Sequence, residues 1–196
     1  MLSKPLRELT FTVVDTETTG LSPANDRLVE IAAIKVKPNL FIDIHDTFSE
    51  LINPLCPISY RSYRVHGISN DMVQDKPTID KVMPSFLDYV TDTVIVAHNA
   101  KFDISFIKQA LCETGLEPTF LDVIDTVKIA KLAFPAFGRY NLDSLIDLLN
   151  LHTEVDGLSR HRALFDAFHT AKLLTYCLES LEDSGIRHIS DLKSCN

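Results

Sequence analysis

At 196 residues, 45% hydrophobic and 23% charged, the chain has the size and composition of one globular unit with a sizeable core. No apolar run approaches the roughly 20 residues that a membrane helix needs, and the polar stretch Met1 to Glu8 lacks a signal-peptide pattern. A net charge of −8 argues against a broad basic surface for tight, nonspecific duplex binding. Cys56, Cys112, Cys177 and Cys195 are scattered without paired spacing, which argues against a zinc site or a disulfide framework and points to a reducing cytoplasm.

In chain order, Leu9 to Asp15, Arg27 to Val36 and Phe41 to Ile52 read as three strands, with turns at Gly20-Leu21-Ser22-Pro23 and Lys37-Pro38-Asn39, forming an antiparallel meander. Pro54, Pro57 and a polar stretch lead to Val65-His66-Gly67-Ile68, after which Ser69 is placed to cap a short helix. Thr78 is placed to cap a second helix, Ile79 to Val90. Its Ile79, Val82, Met83, Phe86, Leu87 and Val90 keep helical spacing, and Pro84 is a kink point inside it. Thr93 to Ala97 is a buried strand running into His98 and Asn99, Phe102 to Thr114 a helix stopped by Gly115, and Leu121 to Ile124 a short strand. Helices follow at about Thr126 to Phe134, Asn141 to Asn150 and Arg160 to Glu179, and Glu182 to Asn196 reads as a partly frayed terminal helix. Strands that come first as a meander and then alternate with helices predict an α/β fold with one mixed sheet flanked by helices, in a single domain over residues 1–196.

The chemistry concentrates in acids. Asp15 and Glu17 end the first strand two residues apart, so both carboxylates point to the same side if the strand continues that far. No Lys or Arg stands between Thr10 and Asp26, so two such acids at a core edge call for protons or a cation. The competing readings are an edge strand with solvated acids, and a calcium loop in which Asp15, Glu17, Thr19, Gly20 and Asp26 take EF-hand positions. Strand-like flanks and a closing Asp argue against the latter. Asp103 opens a helix just after a buried strand, where open sheets gather ligand sites, or it is a helix-capping Asp. Asp166 lies on the helix whose Leu164, Phe168, Ala171, Leu174 and Leu178 form the core stripe, or it is a solvated acid there. His161 is five residues before Asp166, roughly 140° around a continuous helix, so the two share a site only if His161 lies in the loop or first turn, which Gly157-Leu158-Ser159 favours. A surface or capping histidine is the alternative.

Taken together, Asp15-Thr16-Glu17, His98-Asn99-Ala100-Lys101-Phe102-Asp103 and His161-Arg162-Ala163-Leu164-Phe165-Asp166 resemble, in order, the three motifs of the DEDD superfamily of 3′–5′ exonucleases, histidine branch. The sister branch has a tyrosine where this chain has Arg162. The resemblance covers about 9–178, leaves a short extension at 179–196, and is strongest to the epsilon proofreading subunits of bacterial DNA polymerase III and their stand-alone relatives.

The resemblance implies a ribonuclease-H-like fold and two Mg²⁺ or Mn²⁺ ions held by Asp15, Glu17, Asp103 and Asp166. It makes His161 the general base, a task suited to an imidazole. It also implies release of nucleoside 5′-monophosphates. Thr18 and Leu21 fall where the family contacts the terminal nucleotide, His66 matches a position near it, and Asn99 is placed to orient the second motif. Ala32 stands where relatives often have Gly. Arg61 stands where the replicative subunit has an acid, which departs at the terminal sugar. Two divalent cations would halve the net charge and suit a site that captures a strand end locally. The expected partner is DNA with a free 3′ end, single-stranded or frayed, with a DNA polymerase subunit as a candidate protein partner. The alternatives are an RNA-trimming exonuclease of the oligoribonuclease or ribonuclease T type, against which Thr18-Thr19-Gly20 argues, and a noncatalytic scaffold.

Overall fold

The computed structural model describes residues 4–153 and 161–194. The long apolar run Phe11–Thr18 (β1) pairs antiparallel with Leu28–Lys37 (β2), which pairs antiparallel with Phe41–Leu51 (β3). Val94–Ala97 (β4) lies parallel to β1, and Asp122–Asp125 (β5) parallel to β4. The order β3-β2-β1-β4-β5 puts β1 at the centre, and β1, β2 and β3 form the expected antiparallel meander. β4 is apolar throughout because both faces are covered, whereas β3 is mostly exposed and carries the polar residues of an edge.

Alternation along β1 sorts the core into two layers. Phe11 and Val13, with Ile34, Val36, Val94 and Val96, face Thr126–Ala133 (α5), Leu142–Leu148 (α6) and Ala163–Glu182 (α7). Val14, with Ile31, Ala33, Ile95 and Ala97, faces Ile79–Val90 (α3) and Lys101–Thr114 (α4). By the same parity Asp15 and Glu17 point toward α7, and Thr16 toward α4.

β1 runs on to Thr18, which meets the condition that Glu17 lie within the strand. Tyr60–His66 forms a helix (α1), capped by the Ser59 side chain and ended by Gly67 at φ 71°, where the sequence pattern predicts only a polar stretch. Its residues are exposed except His66 and a half-buried Ser62, so no apolar stripe announces it. Asn70–Val73 (α2) has the expected Ser69 cap. Thr78 does stand before α3, but its hydroxyl donates to Asp80 Oδ1 (2.5 Å) and caps no backbone N–H; α3 continues through Pro84. α7 begins at Ala163 rather than Arg160, and Gly157-Leu158-Ser159 lie outside the described residues. The calcium-loop reading fails, because strands flank the loop and Asp26 is tied inside it, accepting from Thr19 Oγ1 (3.2 Å) and Ser22 N (2.9 Å).

Ile189–Ser194 (α8) closes the described chain, and there the two ends meet: Pro5 bridges His188, Leu6 N donates to Arg187 O (2.7 Å), and Arg7 pairs with Glu182. No helix among the described residues is long and apolar enough to cross a membrane.

Candidate active site

β1 delivers Asp15 and Glu17 to one face, and the first turn of α7 brings Asp166 to the same face. One carboxylate oxygen from each lies within 4.8 Å of the others. Ala32, fully buried, is the β2 neighbour of Asp15, so the strand across from it contributes only a methyl group. Asp103 arrives from the opposite layer, as the third residue of α4, and is 3% exposed. It caps no helix: Oδ1 accepts from the Thr16 hydroxyl (2.8 Å), the β1 side chain that points toward α4. Asp103 therefore stands outside the trio, yet it is the acid whose charge weighs most on Asp15.

These acids are costly to ionise together. Burial first, and then repulsion from Asp103, Glu17 and Asp166, holds the Asp15 carboxyl well above the usual carboxylate range. Burial and the charges of Asp166 and Glu30 push Glu17 up to about 8. Burial raises Asp103 to about 7, against the opposing pull of the Thr16 hydrogen bond. The donors are hard carboxylate oxygens with no sulfur or imidazole among them, the set that Mg²⁺ and Mn²⁺ prefer. The residues thus fit a divalent cation, whose charge would offset the repulsion.

The flanking residues sort themselves by geometry. Leu21 is 67% exposed on the loop after β1. Gly20 lets that loop close, since a Cβ there would sit 2.3 Å from Asp26 Oδ1. Thr18 is buried and its hydroxyl donates to Gly20 O (2.5 Å). His66 is 5% exposed; Ile68 N donates to its Nδ1 (3.0 Å), which leaves Nε2 to donate to Thr18 O (3.3 Å). Both ring nitrogens are used inside the protein, so His66 reaches the site through Thr18. Asn99 is exposed in a left-handed conformation at φ 59°, and its N–H donates to Asp125 Oδ1 (3.1 Å), tying the second motif to the start of α5. His98 Nδ1 pairs with the Thr126 hydroxyl (2.9 Å). His161 is exposed, also left-handed at φ 59°, and stands two residues before α7, off the helix as its spacing from Asp166 requires.

Sequence reasoning missed one feature of the site. Glu30, 2% exposed on β2 and paired in register with Glu17, receives the Arg162 guanidinium and the Ala163 N–H (3.0 Å). A lone acid inside the apolar run RLVEIAAIKV was the available signal.

A mixed sheet between two helical layers, with clustered acids on its central strand, defines a ribonuclease-H-like nuclease of the carboxylate type. The chain belongs to the exonuclease family, whose profile (RNase_T, Exonuclease) matches residues 12–174. It is 40% identical over 186 residues to the PolC-type DNA polymerase III of Caldanaerobacter subterraneus subsp. tengcongensis, covering 94% of this chain but only 13% of that polymerase. Among solved structures it is 33% identical to exonuclease X in complex with 5′-overhanging duplex DNA, with a TM-score of 0.70 over 87% of this chain and 92% of that one. E. coli exonuclease I with a dA16 oligonucleotide shares the fold at a TM-score of 0.71 and 18% identity, covering 85% of this chain and 40% of that one.

Proposed function

We propose that the chain is a 3′–5′ exonuclease acting on DNA, dependent on two Mg²⁺ or Mn²⁺ ions, that releases nucleoside 5′-monophosphates. The observation that carries this reading is the convergence of Asp15, Glu17 and Asp166 within 4.8 Å, beside a buried Asp103, in a protein of the exonuclease family. Those four carboxylates would hold the cations, which when bound supply positive charge to the attacking and leaving oxygens of the phosphate. His161 takes the proton of the attacking water. Leu21, exposed at the mouth of the site, packs against the terminal base, while Thr18, steadied by His66, and Asn99 line the approach of the last nucleotide. One exonuclease unit over about 9–178 performs this chemistry.

The similarity to a DNA polymerase and to exonuclease X supports DNA rather than RNA, and a proofreading or repair role beside a polymerase. The described cysteines are unpaired, in keeping with a reducing cytoplasm. The test is digestion of linear and circular single-stranded DNA by the purified chain with Mg²⁺. Linear strands should shorten from the 3′ end to 5′-monophosphates, circles should survive, and EDTA should stop the reaction. Rapid cutting of circles, or turnover in EDTA, would overturn the assignment.

A further inference from the structure

The end of α7 that faces the acids is fastened by an ion pair made across the fold. Glu30 is the third residue of β2, in a strand buried along nearly its whole length, and points toward α7 with Asp15 and Glu17. Arg162 Nε lies 3.0 Å from Glu30 Oε2 and its Nη2 2.6 Å from Oε1, a two-pronged contact between residues 132 apart in sequence. Glu30 Oε2 also accepts the N–H of Ala163, the first residue of α7. Arg162 occupies the N-cap position of that helix without capping it through its own side chain, so Glu30 does the capping from the neighbouring strand.

The proposed base hangs from this clasp, whereas Asp166 is held by the backbone of the helix itself. His161 immediately precedes Arg162 and holds a left-handed backbone, a conformation uncommon for a non-glycine residue. Asp166 follows one turn later, its N–H donating to Arg162 O (3.1 Å). A buried ion pair returns little net stability once desolvation is counted. What the planar fork does supply is orientation, because two parallel hydrogen bonds fix the guanidinium and with it the backbone of residue 162.

We propose that Glu30 and Arg162 are positioning residues that set His161 against the strand carrying Asp15 and Glu17. This rests on the reading of His161 as general base. The two ideas separate in a double-mutant cycle. Arg162→Lys keeps the charge and loses the fork, and Glu30→Leu with Arg162→Met removes both charges together in case a lone buried charge prevents folding.

For each variant, melting temperature, Mn²⁺ affinity by calorimetry, and kcat and KM on a single-stranded oligonucleotide are measured, alone and combined with His161→Ala. Arg162→Lys should stay folded with unchanged Mn²⁺ affinity and KM while kcat falls by about 10²-fold, the scale of loss when a reacting group is displaced by about 1 Å. His161→Ala should lose roughly 10² to 10⁴ in kcat, and adding Arg162→Lys to it should cost nothing more. The Glu30→Leu, Arg162→Met pair should show the same kcat loss in a folded, Mn²⁺-binding protein. Wild-type kcat in either clasp variant, or losses that multiply with His161→Ala, would overturn the positioning role. An unchanged kcat in His161→Ala itself would instead remove the base assignment and this inference with it.

Discussion

Stripped of divalent cations, the protein should lose stability as pH rises across the neutral range. Glu17 ordinarily ionises near 4.5, but burial and neighbouring charge push it up to about 8 in the folded chain. Between those values the native state keeps a proton that the unfolded chain has released. The resulting stabilisation is complete below pH 4.5, drains away as pH climbs toward 8, and is gone above it. At about 1.36 kcal/mol per pH unit, the roughly three units from pH 5 to 8 give a ceiling of about 4 kcal/mol for this one proton. Asp15 and Asp103 are shifted in the same direction and reinforce the trend. For a chain of this size the loss corresponds to a fall of about 8 to 16 °C in melting temperature.

Urea or thermal unfolding in EDTA at pH 5, 6.5 and 8 measures the effect, and saturating Mg²⁺ at pH 8 should reverse it, since a ligand at a hundred times its Kd adds about 2.7 kcal/mol. Glu17→Gln should flatten the curve and melt above wild type at pH 8 in EDTA while losing hydrolysis. Wild-type stability that is level or rising from pH 5 to 8 in EDTA, or a Glu17→Gln curve that tracks wild type, would refute the claim that the acids are held at mutual cost.

Asp103→Asn should nearly abolish Mg²⁺-dependent turnover while leaving a folded protein, because the amide can still accept from Thr16 but no longer completes the acid set; appreciable turnover would place Asp103 outside the chemistry. Gly20→Ala should lower the melting temperature by the equivalent of about 1 to 3 kcal/mol and slow digestion of paired ends more than of single strands, since a Cβ 2.3 Å from Asp26 displaces the loop that carries Leu21. An unchanged melting temperature would show that the loop has slack.

Much of the fold was legible because its strands are long apolar runs and its helices carry apolar stripes. HNAKFD runs from the end of β4 into α4, Gly115 ends α4 at φ 67°, and His161 lies off α7, the placement that a site shared with Asp166 needs. What escaped was whatever depends on a partner distant in sequence. Tyr60–His66 has one buried residue, His66, whose ring bonds to Thr18 O, 48 residues away. Glu30 looks like an exposed acid in a strand until Arg162 reaches it from another layer. Thr78 has the right residue type and backbone for a cap, but Asp80 competes for its hydroxyl at shorter range. The separation of Asp103 from the acidic trio follows from strand parity, which becomes readable only once α4 and α7 are known to lie on opposite faces.

The meeting of Pro5 and Leu6 with Arg187 and His188 bears on how the unit comes apart. Residues 5–6 lie beside 187–188, with the short α8 following. Loosening the segment at 5–7 therefore removes partners from 182–188, and the reverse holds as well. A fold whose early and late segments are tied together in this way keeps both in one cooperative unit.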